Sequence, residues 1–288
     1  MKYSNISLEK WKQIGEGGNG ATYIHLSEPD VMLKVSYLDS TEEAMNKEFL
    51  ASKAVYDLGI PTPEMIQLVQ VGKNFGIVCQ LIKNKKSIAR LCNEDPEHLD
   101  DLAKQMAEQT KKLHSTIVPS KSYLPSIKEL MLTALERTHM LTNKTQQAAT
   151  EYIANLQDTP NLLHGDLQMG NLILSPQSTP EYFWIDLGRA AHGVPMFDLG
   201  HLFLFCNVFS KTAKVQEITH MTEKQMSAFW NAFALAYNGP DKLEEFNTAC
   251  KRFAALDVIL LGHIQKLNWH QRLFLGFIAK RLFKASGI

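Results

Sequence analysis

Short apolar and β-branched runs separated by turn residues characterise the N-terminal part of the chain. The runs Ala21–Leu26 and Val31–Val35 are divided by a turn signal at residues 28–30, and Met65–Val71 and Phe75–Ile82 are joined around a glycine. Runs of this length bounded by Gly, Pro and Asp are typical of β-strands. The pattern therefore predicts four strands in a small β-rich unit.

A single helix is predicted between these two pairs of strands. Ser40 and Glu43 have the spacing of a capping box, and Gly59 with Pro61 supplies a stop signal. The N-terminal unit is therefore expected to carry one helix beside its strands.

From residue 84 onward the apolar positions recur with a helical period, interrupted by one predicted hairpin, Asn171–Leu174 with Glu181–Ile185. The sequence therefore predicts an α+β fold, with a β-rich N-terminal lobe at residues 1–83 and a mainly helical C-terminal lobe at residues 84–288. The predicted helices of the second lobe are Glu97–Ser115, Ser126–Met140, Lys144–Leu156, Met196–Phe209, Thr222–Tyr237, Lys242–Leu261 and Gln265–Phe283.

Composition and charge disfavour several classes of protein. The 288 residues are 45% hydrophobic and carry 30 basic and 30 acidic side chains, so no net field attracts nucleic acid or an anionic membrane. The longest apolar stretch, Leu199–Phe209, is interrupted by Gly200, His201 and Asn207 and is far shorter than the about 20 residues that a membrane span requires. Four cysteines without ligand-like spacing indicate free thiols, and we expect a cytoplasmic protein.

The segment Gly15-Glu-Gly-Gly-Asn-Gly20 has the spacing GxGxxG. A dinucleotide fingerprint requires a helix after the glycines, but strand-like residues follow here. A Walker A loop requires Lys before Ser or Thr, but Ala21 and Thr22 stand there. Two interpretations remain: a glycine loop that lets backbone N–H groups approach phosphates, or an ordinary glycine-rich β-turn.

Lys34 lies within the apolar run Val31–Val35. A lysine in a buried strand costs desolvation energy unless it is paired, although an edge lysine can also reach water. Glu48 is a candidate partner because it shares a helical stripe with Met45 and Val55 that is expected to face the interior. An ion pair between Lys34 and Glu48 would satisfy both charges.

The strongest motif is His164-Gly-Asp-x-x-x-x-Asn171, followed by the predicted hairpin and then Asp186-Leu-Gly188. Phosphoryl transfer from ATP needs a carboxylate that orients the attacking hydroxyl and accepts its proton, and oxygen ligands for Mg²⁺. Asp166 suits the first role, and Asn171 and Asp186 suit the second. Each segment alone could be a solvated loop or turn, but their order behind the glycine segment and Lys34 favours a catalytic set.

This set resembles the protein-kinase-like superfamily, in particular its aminoglycoside phosphotransferase and choline kinase branch. His-Gly-Asp in place of His-Arg-Asp, and Met196-Phe-Asp-Leu-Gly200, are similar to that small-molecule branch, and the resemblance covers about residues 8–205. It implies a two-lobed kinase-like fold and an ATP- and Mg²⁺-dependent transfer of the γ-phosphate to a hydroxyl of a small molecule.

Several site residues follow from the resemblance. Gly15, Gly17 and Gly20 would cover the phosphates, and Lys34, held by Glu48, would contact the α- and β-phosphates. The adenine would meet backbone groups of Gln80 and Ile82 and the apolar walls Thr22, Met32 and Ile173. Asp198 would brace the catalytic loop, and His114 is expected to pack or hydrogen-bond rather than catalyse. The replacements at Thr22 and Met32 leave ATP and GTP both open.

The acceptor is constrained only by charge and by the lack of some kinase segments. No Ala-Pro-Glu segment occurs, and little room lies between Asp186 and Asp198 for an activation loop, which disfavours a regulated protein kinase. From residue 210 onward eleven Lys and Arg stand against six Asp and Glu, which disfavours a polycationic substrate. We therefore favour a neutral or anionic hydroxyl compound, such as a sugar. The alternatives are a nucleotide-binding regulatory module without turnover and a protein Ser/Thr kinase, and the oligomeric state stays open.

Overall fold

The structure is a computed structural model that describes residues 3–17, 20–37, 41–265 and 267–287. The chain divides into two compact units. The first unit consists of Met1–Lys86 together with Leu172–Arg189, and the second of Ser87–Asn171 together with Ala190–Ile288. The sequence-based division into residues 1–83 and 84–288 follows chain order alone and stays a prediction.

Strands and helices are numbered here in chain order. The described strands are β1 (Ser4–Asn5), β2 (Trp11–Gly17), β3 (Gly20–His25), β4 (Val31–Ser36), β5 (Met65–Val71), β6 (Asn74–Gln80), β7 (Lys86–Ser87), β8 (Leu162–Leu163), β9 (Leu172–Leu174), β10 (Tyr182–Trp184) and β11 (Ala191–His192). The described helices are α1 (Glu42–Asp57), α2 (Ile88–Glu94), α3 (Leu99–Ser115), α4 (Ile127–Thr138), α5 (Asn143–Asn155), α6 (Met196–Asn207), α7 (Ala213–Thr219), α8 (Glu223–Asn238), α9 (Leu243–Ile264) and α10 (Trp269–Ser286).

The main sheet of the first unit has the strand order β1-β5-β6-β4-β3-β2. Its neighbours pair antiparallel, except that β1 runs parallel to β5. The four strands predicted in this region are confirmed, with ends that differ by at most two residues. Strand β2 was not predicted as an element because its sequence, WKQIGEG, contains two glycines and only one β-branched residue.

Helix α1 covers one face of this sheet. It begins after Thr41, whose side chain accepts a hydrogen bond from the N–H of Ala44 at 3.1 Å. The predicted cap residue Ser40 lies outside the described residues. Met45 and Phe49 of α1 pack with Leu68, Ile77 and Cys79 of the sheet. Because successive strand residues point to opposite faces, Leu33 and Val35 belong to a second core on the other side, whereas Lys34 between them faces α1.

The predicted hairpin is formed by β9 and β10, which pair Leu172 with Trp184. Ile173 and Phe183 pack together with Ile82 at the end of the N-terminal segment. The Ser175 hydroxyl donates to the carbonyl of Lys83 at 2.7 Å. These contacts explain why a hairpin from the middle of the chain belongs to the first unit.

The core of the second unit forms around α6 and α9. Helix α9 packs against α4, α6 and α10, and α3 packs against α8. Nearly all of α6 is buried. At Gly200 an added Cβ would lie 2.6 Å from the backbone of Phe253, so α6 and α9 approach more closely there than any side chain would allow.

The seven helices predicted for the C-terminal part are confirmed within a few residues at each end. Helices α2 and α7 were not predicted, because seven residues are too few to display a helical period. No helix in the described part of the chain is both long enough and apolar enough to cross a membrane.

Candidate active site

Lys34, Glu48 and Asp186, the Lys34 cluster, lie together in the first unit. Strand β4 carries Lys34, α1 carries Glu48, and Asp186 follows β10. The Lys34 Nζ lies 2.9 Å from Glu48 Oε1 and 2.7 Å from Asp186 Oδ1. The ion pair predicted between Lys34 and Glu48 is therefore present, and the contact with Asp186 adds a second carboxylate that the sequence analysis did not pair with it.

The Lys34 cluster is open to water. The side chains of Lys34 and Asp186 are 41% and 50% exposed, and that of Glu48 is 21% exposed. Burial by itself lowers the pKa of Lys34, but Asp186 and Glu48 outweigh it, so that the pKa of Lys34 lies above its ordinary value. Lys34 thus remains an ammonium, able to meet an anion such as a phosphate.

The backbone conformation and close packing of the Asp186-Leu-Gly188 segment explain its residue types. Asp186 has φ +57°, a left-handed conformation that Asp tolerates better than most side chains. At Gly188 an added Cβ would lie 3.3 Å from Cγ of Glu48, closer than an ordinary contact. A glycine at this position therefore lets α1 bring Glu48 to Lys34.

The glycine segment joins β2 to β3 as a hairpin in which Gly17 is opposite Gly20. A Cβ at Gly20 would overlap the carbonyl oxygen of Val35, so close packing of β3 on β4 requires this glycine. Around Gly15 a Cβ would meet nothing within 4 Å. Gly18 and Asn19 lie outside the described residues. The predicted loop between two strands is present, and a phosphate role for Gly15, Gly17 and Gly20 stays a prediction.

A cavity of about 240 Å³ in the first unit adjoins the Lys34 cluster. Thr22, Met32 and Cys79 line it together with Lys34 and Asp186. Two of the three predicted adenine walls, Thr22 and Met32, therefore lie in one cavity with the predicted phosphate anchor. Its lining combines apolar side chains with a few charged groups, as is typical of ligand sites.

Other predicted nucleotide residues lie elsewhere in the first unit. Gln80 and Ile82 line a separate cavity of about 730 Å³, and Ile173 packs with Ile82 and Phe183. Lys85, which the sequence analysis missed, lines the smaller cavity, and burial lowers its pKa. The signal for it was the lysine-rich run at residues 83–86, directly after the predicted connection.

The catalytic-loop motif lies in the second unit, where Asp198 of α6 holds its backbone. Asp198 Oδ2 accepts from the N–H of His164 at 2.7 Å, and Oδ1 accepts from the N–H of Gly165 at 2.8 Å. Gly165 has φ +77°, which a glycine adopts without strain. The predicted bracing contact of Asp198 is therefore present.

His114 of α3 supports that brace. Its Nε2 donates to Asp198 Oδ2 at 3.0 Å, and its Nδ1 lies 2.8 Å from the Tyr237 hydroxyl. Burial by itself raises the pKa of Asp198, but the hydrogen bond and charge of His114, together with His164, outweigh burial and hold that pKa below its ordinary value. The predicted hydrogen-bonding position of His114 is confirmed.

Asn171 fixes Asp166 within the loop. The Asn171 side-chain NH₂ donates to the Asp166 carbonyl at 2.9 Å and to Asp166 Oδ2 at 3.2 Å. Asn171 is buried, whereas the Asp166 side chain remains 34% exposed. The second unit therefore presents a carboxylate that is held in place and still reachable by a ligand.

Asp166, His201 and Asp257 form a second group, the Asp166 cluster, and the sequence did not identify His201 or Asp257. His201 Nε2 lies 2.9 Å from Asp166 Oδ1, and His201 Nδ1 lies 2.7 Å from Asp257 Oδ2. Burial by itself lowers the pKa of His201, but Asp257 and the hydrogen bonds to both carboxylates raise it to about 10. A cation therefore lies directly behind Asp166.

The sequence matches the model of the Phosphotransferase enzyme family over residues 10–246. The chain belongs to this family. The match includes the Lys34 cluster together with Asp166 and His201, and it ends within α9, before Asp257. No curated protein sequence matches the chain.

Solved structures of aminoglycoside phosphotransferases share the fold at low sequence identity. A thermostable mutant of APH(4)-Ia with ADP and hygromycin B has a TM-score of 0.65 and 11% identity, and the alignment covers 97% of this chain and 95% of that one. ADP-bound APH(2'')-Ib has a TM-score of 0.56 and 17% identity, with 96% and 93% covered. The predicted α+β, two-lobed kinase-like fold is therefore confirmed.

Proposed function

We propose that this phosphotransferase-family chain transfers the γ-phosphate of ATP to a hydroxyl of a small molecule and depends on Mg²⁺. The observation that carries the proposal is the state of Asp166, whose carboxylate is hydrogen-bonded by Asn171 and His201 and yet 34% exposed. A carboxylate that is oriented by neighbours and open to a ligand is what a hydroxyl acceptor needs.

In the proposed reaction Asp166 is the catalytic base. The acceptor oxygen forms a bond to the γ-phosphorus, the bond from that phosphorus to the bridging oxygen breaks, and ADP leaves. The proton of the acceptor hydroxyl passes to the Asp166 carboxylate and is released to solvent after product departure. Positioning and charge neutralisation account for most catalysis in reactions of this kind.

Residues of the first unit are assigned to the nucleotide. Lys34, held by Glu48, would bind the α- and β-phosphates, and backbone N–H groups at Gly15, Gly17 and Gly20 would cover them. Gln80 and Ile82 would meet the adenine through their backbones. Support comes from the 240 Å³ cavity that contains Lys34 together with Thr22 and Met32.

Asn171 and Asp186 are assigned to Mg²⁺, because each has an oxygen atom that its contacts described above do not use. The Asn171 NH₂ is committed to Asp166, which leaves its carbonyl oxygen as the possible ligand, and Asp186 engages Lys34 through Oδ1, which leaves Oδ2. Oxygen donors of these two kinds are those that Mg²⁺ prefers. When bound, the ion would neutralise charge on the β- and γ-phosphates.

The acceptor is proposed to be a neutral or anionic hydroxyl compound, such as a sugar. The excess of Lys and Arg after residue 210 supports this choice over a polycation. The related structures named above include one with the aminoglycoside hygromycin B, which keeps aminoglycosides among the acceptors to test. The proposal places the enzyme in the cytoplasm, where ATP is available and where its four free cysteines would stay reduced.

The decisive experiment is a screen for ADP release with Mg-ATP and with Mg-GTP over sugars, amino alcohols, nucleosides and aminoglycosides. We expect turnover with at least one acceptor, and we expect Asp166→Asn to lower kcat by about 10²–10⁴-fold because the base is lost. Asp241→Asn, at an exposed aspartate two residues before α9, is the matched control and should retain activity.

Three other outcomes would contradict the proposal. Nucleotide binding without turnover on any acceptor would indicate a regulatory module of kinase fold. Turnover only with a protein serine or threonine would indicate a protein kinase. Equal activity of Asp166→Asn and Asp241→Asn would exclude Asp166 as the base.

A further inference from the structure

One turn of α6 holds the catalytic loop in two different ways. Asp198 binds the backbone N–H groups of His164 and Gly165, and His201, three residues later, binds the Asp166 carboxylate. The first contact fixes where the loop runs. The second fixes the rotation of the side chain that the proposed reaction uses.

His201 is itself held from behind. Asp257 on α9 accepts from His201 Nδ1 at 2.7 Å, and the side chains of His201 and Asp257 are only 8% and 6% exposed. Asp198, one turn earlier on α6, has its oxygens occupied by His114 and the loop backbone. His201 therefore has Asp166 and Asp257 as its two carboxylate partners, one at each ring nitrogen.

Both ring nitrogens face a carboxylate at hydrogen-bonding distance, so both act as donors and the ring is an imidazolium. Such a ring has one geometry that satisfies both partners, because the two N–H directions are fixed relative to each other. Asp257 thus sets the orientation of the His201 ring, and this orientation determines which oxygen of Asp166 the ring contacts.

We propose that His201 is a positioning residue for phosphotransfer: anchored by Asp257, it holds Oδ1 of Asp166 with a charged donor at 2.9 Å, whereas Asn171 contacts Oδ2 with a neutral amide at 3.2 Å. Because a charged donor holds its acceptor more strongly, Oδ2 is the oxygen that receives the proton of the acceptor hydroxyl. This inference rests on the proposed function. His201 keeps both of its protons throughout, and the transferred proton passes only from the acceptor to Asp166.

Two substitutions at His201 separate positioning from packing. The side-chain amide of Gln reaches the place of His Nε2, toward Asp166, whereas that of Asn reaches only the place of Nδ1, toward Asp257. For His201→Gln we expect kcat within about tenfold of the wild type, and for His201→Asn a loss of about 10²-fold, with KM for ATP within twofold in both. His98→Gln, at an exposed histidine, is the control and should behave as wild type.

A purely structural role would rank these variants in the opposite order. His201→Asn retains the shorter and more buried contact, with Asp257, and would then be the better enzyme. Equal losses in both variants, or losses that appear mainly in KM, would also overturn the proposal. Thermal unfolding of each variant verifies that the folded proteins are compared.

A second measurement does not depend on turnover. In ¹⁵N NMR spectra of the full chain at pH 7, we expect both nitrogens of His201 to carry protons, and Asp166→Asn to shift the Nε2 resonance much more than Nδ1. A neutral ring, or an Nε2 resonance that Asp166→Asn leaves in place, would overturn the proposal. If no acceptor is ever phosphorylated while these NMR results hold, the proposed function fails and the positioning contact stands.

Discussion

A cation between two carboxylates occurs in each unit of the protein, and the two groups differ mainly in their access to water. Lys34 lies 2.9 Å from Glu48 and 2.7 Å from Asp186, and His201 lies 2.9 Å from Asp166 and 2.7 Å from Asp257. The Lys34 side chain is 41% exposed, whereas that of His201 is 8% exposed. Near-identical distances therefore occur in very different surroundings.

The difference in exposure decides what each group can do. Exposed ion pairs contribute about 0–1 kcal/mol to stability. Lys34 could therefore leave Asp186 to bind a phosphate, and Asp186 could bind a cation, at little cost in free energy. Removing one partner of a buried pair costs about 3–5 kcal/mol, so His201 and Asp257 hold one arrangement. An exchangeable group suits a ligand that enters and leaves, and a fixed group suits the role of an oriented base that is proposed for Asp166.

The largest expected effect comes from breaking the buried group. Asp257→Asn leaves the His201 cation with Asp166 as its only carboxylate, and we expect the free energy of unfolding at pH 7 to fall by about 3–5 kcal/mol. Urea denaturation followed by circular dichroism measures this change, with Asp241→Asn as the control. A loss below about 1 kcal/mol would mean that the buried group contributes no more to stability than an exposed ion pair, which would contradict the difference drawn between the two groups.

The second expected effect is a pH dependence of stability. The pKa of His201 is raised from 6.5 to about 10 in the folded protein, so its contribution is complete below pH 6.5 and is lost as the pH rises through about 10. The wild-type free energy of unfolding should therefore decline from pH 6.5 to 10. In His201→Gln the decline should be smaller by on the order of a few kcal/mol, as urea titrations at several pH values would show. Parallel curves for the two proteins would contradict the assignment.

The smallest effect on stability is expected at the exposed group. Lys34→Met should change the free energy of unfolding by less than about 1 kcal/mol, because water already solvates these charges. The same change should weaken binding of ADP by about tenfold or more, as measured by calorimetry, because a charge-assisted contact to phosphate is lost. Lys104→Met removes the exposed pair with Asp101 and should leave ADP binding unchanged. A large loss of stability with intact ADP binding would reverse the roles given to the two groups.

Much of the fold could be predicted from the sequence because its elements have strong local signals. The long helices show a sustained helical period, and the strands of the first unit are bounded by Gly, Pro and Asp. The two-residue strands and the seven-residue helices α2 and α7 leave no such signal, because tertiary contacts define them.

The sites divide in a similar way. Lys34, Glu48, Asp166 and Asn171 could be located because charged or amide side chains stand in ordered motifs. His201 and Asp257 could not be paired, since 56 residues separate them. A partial signal existed: each lies in an apolar run, at Leu199–Phe209 and Phe253–Leu261, where a buried titratable group needs a partner. Such a signal indicates that the buried side chain has a partner, but it does not identify which residue that partner is.

Gly200 sets the distance between α6 and α9, on which the contact between His201 and Asp257 depends. Helices α6 and α9 meet where one hydrogen atom stands in place of a side chain, and a methyl group there would lie 2.6 Å from the backbone of Phe253. His201 is the next residue on α6, and Asp257 lies about one turn beyond Phe253 on α9. Spreading the helices by about 1 Å would stretch the 2.7 Å contact beyond hydrogen-bonding range. The contact between His201 and Asp257 therefore tolerates a displacement smaller than one methyl group, and Gly200, which is not part of that contact, sets this limit.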